Sequence, residues 1–159
     1  MLKVFVYGTL KPGEAYYTRY CEPYTVQVQP ALTRGQLYHL PQGYPALTPG
    51  EGWVTGVLLH LRDDTGLAAL DAFEDYNPAL PASENEYQRQ CRPVYSCDRH
   101  PLATAWMYVM APARAQAHGG ILIAAGVWSQ AQWPSIAPED AVLRTAKETA
   151  RHILERRTL

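Results

Sequence analysis

Glycine and proline cut this chain into short apolar runs, most of them too short to be helices, and that punctuation constrains the fold more than any other feature. Residues 2–7 form an apolar, β-branched and aromatic run that Gly8 stops, with a Pro12-Gly13 turn soon after. It reads as a buried opening strand. Residues 14–21 fit a short helix. Residues 25–40 hold two expected strands broken near Pro30, and the Pro- and Gly-rich stretch 41–52 is expected to be a loop. Residues 53–61 form a strand around Val57-Leu58-Leu59, and 86–95 and 104–110 form two more. The segment 121–127 is legible as either a strand or a helical turn. Strands outnumber helices and follow one another directly. The pattern therefore predicts an α+β fold built on a small mixed or antiparallel β-barrel of about five to seven strands flanked by helices, not a doubly wound sheet.

Two helices stand out against this background. Asp63-Asp64 offers an N-cap for a helix over 65–75. A longer amphipathic helix is predicted over 138–157, with Val142, Leu143, Ala146, Ala150, Ile153 and Leu154 at helical spacing and Pro138 in its first turn. Its apolar stripe must be covered, either by the barrel exterior or by a second subunit in a homo-oligomer. The domain expected is 1–128, with 129–159 as a C-terminal extension of the same domain.

The charge pattern excludes several functions. Fourteen basic and 15 acidic side chains give a formal net charge of −1. Among the bases only Arg151, Arg156 and Arg157 cluster, which suits a helix C-terminus better than nucleic acid. No apolar stretch is long enough to span a bilayer, and the opening run is too short for a signal peptide. The cysteines, Cys21, Cys91 and Cys97, have no metal-type spacing and read as free thiols in a reducing, cytoplasmic setting. The five histidines are scattered without ligand spacing, so no metal site is expected.

The helix over 65–75 carries the sharpest oddity. At about 100° per residue, with Leu67 at zero, Leu70 falls near about −60°, Phe73 near about −120° and Glu74 near about −20°. Glu74 thus lies on the apolar stripe. An inward carboxylate loses hydration, which favours its protonated form and suits a general acid/base near neutral pH. The alternative is that the helix ends before Glu74 and the side chain is solvated.

The run Val4-Phe5-Val6-Tyr7-Gly8-Thr9-Leu10-Lys11 resembles the opening strand and loop of the γ-glutamyl cyclotransferase-like superfamily, which includes γ-glutamylamine cyclotransferases and AIG2-like proteins. Further blocks follow in the family's order. They are Gly35-Gln36-Leu37-Tyr38, Gly43-Tyr44-Pro45-Ala46-Leu47, Val54-Thr55-Gly56-Val57-Leu58-Leu59, Leu70-Asp71-Ala72-Phe73-Glu74-Asp75-Tyr76, Glu86-Tyr87-Gln88-Arg89 and Ala105-Trp106-Met107-Tyr108-Val109. The resemblance covers residues 2–128. It implies a substrate-binding loop at Tyr7, Gly8, Thr9 and Leu10, and an acid/base role for Glu74. Asp75 departs from the pattern, where many members have Gly.

The implied reaction is cyclisation of a γ-glutamyl amine or γ-glutamyl amino acid to 5-oxoproline with release of the amine. The substrate supplies its own nucleophile, so no metal or organic cofactor is required, and the expected partner is a small γ-glutamyl molecule. Tyr108 shares a strand face with Trp106, and its hydroxyl is a candidate to bond substrate or Glu74; a plain core or rim tyrosine is the alternative. Arg89 and Arg92 are weaker candidates as carboxylate anchors, and Tyr38 and Tyr44 for the mouth of the site. Two other readings stay open: a non-catalytic ligand-binding barrel, and the same chemistry on a specialised γ-glutamyl-capped intermediate.

Overall fold

The computed structural model describes residues 2–133. The expected helix over 138–157 lies outside the described residues. Six strands and three short helices alternate along the chain: β1 (Leu2–Val6), α1 (Tyr17–Tyr20), β2 (Thr25–His39), β3 (Pro45–Leu61), α2 (Asp64–Phe73), β4 (Gln88–Tyr95), β5 (Pro101–Val109), α3 (Pro112–Ala117) and β6 (Ile121–Leu122). The class is mixed α+β with one six-stranded sheet. Its pairings return on themselves: β1 joins β3 and β5, β3 joins β2, β2 joins β4, and β4 joins β5. The β1–β5 and β3–β5 contacts are parallel and the others antiparallel. No helix among the described residues is long and apolar enough to cross a membrane.

Two expectations for the middle of the chain are corrected. Residues 25–40 are one strand to His39, and Pro45–Leu61 is one strand although it contains Pro49, Gly50 and Gly52. The two run side by side from Thr25↔Leu61 to His39↔Pro45, with register shifts at Thr25/Gln27 and Arg34/Gln36. Pro30 does not break its strand, because β2 has only β3 as a ladder partner there; β4 first joins at Leu32. A missing N–H is tolerated on such an edge stretch. Only residues 40–44 remain as the connecting turn.

Side chains alternate across the sheet, as the pleat requires. Val4 and Val6 of β1, with Leu59 and Leu61 of β3, face one core that includes Leu67, Leu70 and Phe73 of α2. Phe5 and Tyr7, with Leu47, Leu58, Met107 and Val109, face a second core closed by Trp128. Helix α2 starts where expected: the Asp63 side chain caps it, accepting from the Thr65 N–H at 3.0 Å. Each fully buried leucine or phenylalanine contributes about 1.5–3 kcal/mol of transfer free energy.

The last described residues lock the start of the chain. The Trp128 indole, fully buried, donates to His39 Nδ1 at 3.1 Å, and the Trp128 carbonyl accepts from Lys11 Nζ at 2.5 Å. The Gln130 N–H donates to the Glu14 carboxylate at 3.2 Å. Burial lowers the Lys11 pKa, and the Glu14 charge partly offsets this.

β1 packs so closely on β3 that Gly56 has no room for a side chain. A Cβ there would lie 2.4 Å from the Val6 carbonyl oxygen and 2.5 Å from the Phe5 ring. Gly56→Ala is expected to destabilise the fold by about 1–3 kcal/mol, the usual range for overpacking. Urea denaturation checks this; an unchanged midpoint would contradict the packing described.

Candidate active site

β1 ends at Val6, and the chain turns away through residues 7–10. The Gly8 and Thr9 carbonyls accept from the Lys11 and Tyr16 amides, both at 3.0 Å, which curls the loop. The amides of Thr9 and Leu10 have no acceptor among the described residues. Gly8 is required by a close approach of protein to protein: a Cβ would stand 2.5 Å from Pro45 Cγ. The wall behind the loop is therefore Pro45.

Glu74 is the C-cap of α2, one residue past its last helical position, and its N–H donates to the Leu70 carbonyl at 2.9 Å. The helix has ended before Glu74, yet the side chain is half-buried and faces a pocket. Asp75 follows in the left-handed region, with φ of 54°. Helix ends favour glycine in that conformation, so the aspartate there is tolerated at a backbone cost.

The loop and Glu74 line the same pocket, with about 730 Å³ of unfilled space including its open mouth. Tyr7, Gly8, Thr9, Leu10, Glu74 and Tyr108, the six residues singled out in the sequence, all line it. Tyr44 lines it as well, whereas the Tyr38 hydroxyl turns to Gln36. Tyr16, Phe73 and Tyr87 complete an aromatic wall, with Pro45 beside them. Among the described residues lining the pocket, Glu74 is the only carboxylic acid.

The phenols around Glu74 are tied up. Tyr7 donates to the Tyr108 carbonyl at 2.6 Å, and Tyr87 to the Pro45 carbonyl at 3.0 Å. The Tyr108 hydroxyl donates to Asp71 Oδ1 at 2.7 Å and not to Glu74, one of the two partners foreseen for it. The reason is strand direction: Trp106 and Tyr108 face the core that holds α2, where Asp71 lies within reach. Burial pushes the Tyr7, Tyr87 and Tyr108 phenols well above their ordinary values. The Glu74 charge raises all three further. Burial, then Glu74, also pushes the Cys21 thiol up to about 12. These groups stay protonated near neutral pH.

Of the two arginine candidates, Arg92 bonds Gln90 on its own strand, and Arg89 pairs with Asp71. Asp71 was missed in the sequence. The same helical wheel that flagged Glu74 carries Asp71 about 60° away, on a neighbouring face. Tyr87, fully committed to the pocket wall, gave no signal beyond lying in the Glu86-Tyr87-Gln88-Arg89 block.

The Gamma-glutamyl cyclotransferase, AIG2-like family matches residues 4–130. The fold is similar to an AIG2-like protein from Mus musculus, with 24% identity, a TM-score of 0.61, and 82% of this chain and 89% of that one covered. It is also similar to YkqA from Bacillus subtilis, at 22% identity and a TM-score of 0.58, over 82% of this chain but 40% of that one. An uncharacterized protein from Pyrococcus horikoshii aligns at 14% identity and a TM-score of 0.57, over 83% and 93% of the two chains. Among curated proteins there is no match.

The buried Tyr7 hydroxyl ties β1 to β5 at the pocket floor. Tyr7→Phe removes the donor and leaves the ring, and is expected to cost about 1–2 kcal/mol by leaving the Tyr108 carbonyl with one bond fewer. Chemical denaturation measures it; a variant as stable as the parent would show that this bond carries no net stability.

Proposed function

The chain belongs to the Gamma-glutamyl cyclotransferase, AIG2-like family, and we propose that it cyclises γ-glutamyl amines or γ-glutamyl amino acids to 5-oxoproline with Glu74 as the acid/base. The observation that carries this reading is the single carboxylic acid in the pocket, Glu74, lining it together with a loop whose Thr9 and Leu10 amides have no acceptor among the described residues.

The chemistry needs few parts. The substrate's α-ammonium gives a proton to the Glu74 carboxylate. The freed amine attacks the γ-carbonyl carbon and closes a five-membered ring, a step that proximity alone favours strongly. Negative charge builds on the carbonyl oxygen. Glu74 then returns the proton to the amide nitrogen and the C–N bond breaks. The ring nitrogen gives its second proton to the regenerated carboxylate, which passes it to the departing amine, so that 5-oxoproline and an ammonium leave. One carboxylate serves every transfer. The loop amides offer hydrogen bonds to the substrate's α-carboxylate or to the oxyanion, fixed in place without a cationic side chain. The tyrosine and phenylalanine wall excludes water from the reacting atoms and strengthens both interactions. The phenols do not compete as bases, because burial holds them protonated.

A panel of γ-glutamyl amines, γ-glutamyl amino acids and ε-(γ-glutamyl)-lysine, followed for 5-oxoproline release, identifies the substrate. On the best of them Glu74→Gln, which keeps size and hydrogen bonding but cannot carry the proton, is expected to lower kcat by ~10²–10⁴-fold. Binding of the γ-glutamyl ligand should weaken far less. Turnover by Glu74→Gln at the parent's rate would contradict the mechanism. Binding of γ-glutamyl compounds with no cyclisation by the parent would reassign the chain as a ligand-binding protein.

A further inference from the structure

Two charged residues beside the pocket have no part in the proposed reaction. Asp71 lies three residues before Glu74 on α2, and Arg89 lies on β4. Asp71 takes the Tyr108 hydroxyl on Oδ1 at 2.7 Å and Arg89 Nη1 on Oδ2. Both charged side chains are mostly buried, 18% and 20% exposed. The Arg89 guanidinium is further held over the Trp106 ring at 4.8 Å and the Tyr76 ring at 5.4 Å. Its Nε is buried without an acceptor among the described residues, so the ion pair and the rings set its place.

Side chains three apart on a helix have Cβ atoms about 5–6 Å apart. A bare Asp71 carboxylate at that distance would oppose ionisation of Glu74. Arg89 cancels that charge. The three act on one common point, the Tyr108 phenol: Asp71 and Glu74 raise it and Arg89 lowers it. Four groups on which the Glu74 charge bears are uncharged near neutral pH: Tyr7 after β1, Cys21 after α1, Tyr87 before β4 and Tyr108 on β5. Asp75 and Arg19 are exposed, and the Glu86 charge bears on Tyr87.

We infer that Asp71 and Arg89 are a positioning pair for Glu74: their ion pair, with the Tyr108 hydroxyl, fixes the rotation of α2 and presents Glu74 with a neutralised neighbour in place of a bare charge. The inference rests on the acid/base reading of Glu74 and adds how its proton affinity is set.

The test removes one partner at a time in the full chain. The Glu74 carboxyl is titrated by ¹³C NMR, assigned with Glu74→Gln, and the acid limb of kcat/KM is followed with a γ-glutamyl amide. Arg89→Met leaves Asp71 bare, so the Glu74 titration should move up by roughly one pH unit. Asp71→Asn leaves Arg89 bare, so it should move down by about as much. The double variant should return close to the parent, and Arg89→Lys, which keeps the charge, should stay near it. A purely structural role would lower melting temperature and turnover in every variant without shifts of opposite sign. Unmoved titrations, or shifts in one direction only, overturn the inference. Should Arg89→Met fail to fold, Asp71→Asn decides: a downward shift supports the pair, and an upward or absent one overturns it. Opposed NMR shifts in a protein without turnover would support the pair and sink the proposed reaction.

Discussion

Strand β1 is flanked on both sides, antiparallel to β3 and parallel to β5, and the site depends on that placement. A strand with both edges paired cannot slip, since moving it by one residue would exchange Val4 and Val6 for Phe5 and Tyr7 across two different cores. Its C-terminal end is thereby fixed, and so is the curl through Gly8, Thr9 and Leu10. Helix α2 lies over the Val4 and Val6 face, anchored by Leu67, Leu70 and Phe73. Its end brings Glu74 to the pocket that the curl lines. Lys11 and Glu14, bonded to the segment at Trp128 and Gln130, hold the loop from the far side.

The pocket's polarity follows from its wall. Tyrosines supply hydroxyls, but Tyr7, Tyr87 and Tyr108 point theirs at fixed acceptors and keep them there. The side chains thus build a poorly solvated surface with one carboxylic acid in it. A half-buried carboxyl group in such a place loses part of its water, and burial of that kind favours the protonated form of a carboxylic acid. Backbone amides can hold an anion beside that carboxylate without adding a cation that would keep Glu74 ionised.

Much of this was readable from the residues. The end of β1 one residue before the expected Tyr7, the Asp63 cap of α2, and the strands over 86–95 and 104–110 follow closely from local pattern alone. Glu74 was flagged by its position on an apolar stripe, and its family motif pointed the same way. The reading failed where pairing partners decide. Pro30 and the Pro49-Gly50 stretch look like breakers, yet the ladder between β2 and β3 carries both through. Long-range pairs were also invisible: the Tyr108 hydroxyl goes to Asp71 because β5 and α2 meet in space, and nothing in the spacing of 71, 89 and 108 announces the triad. Gly8 was expected as part of a substrate-binding loop, and the contact that demands a glycine there is Pro45.

The central claim is that Glu74 and the loop amides act on one γ-glutamyl-derived molecule in one pocket. A structure of the protein bound to the product 5-oxoproline tests it most directly. The account predicts the lactam ring against the aromatic wall, its ring nitrogen or carbonyl facing Glu74, and its carboxylate or carbonyl oxygen on the Thr9 and Leu10 amides. A product molecule bound away from Glu74, or one whose polar atoms leave the loop amides untouched, would contradict it.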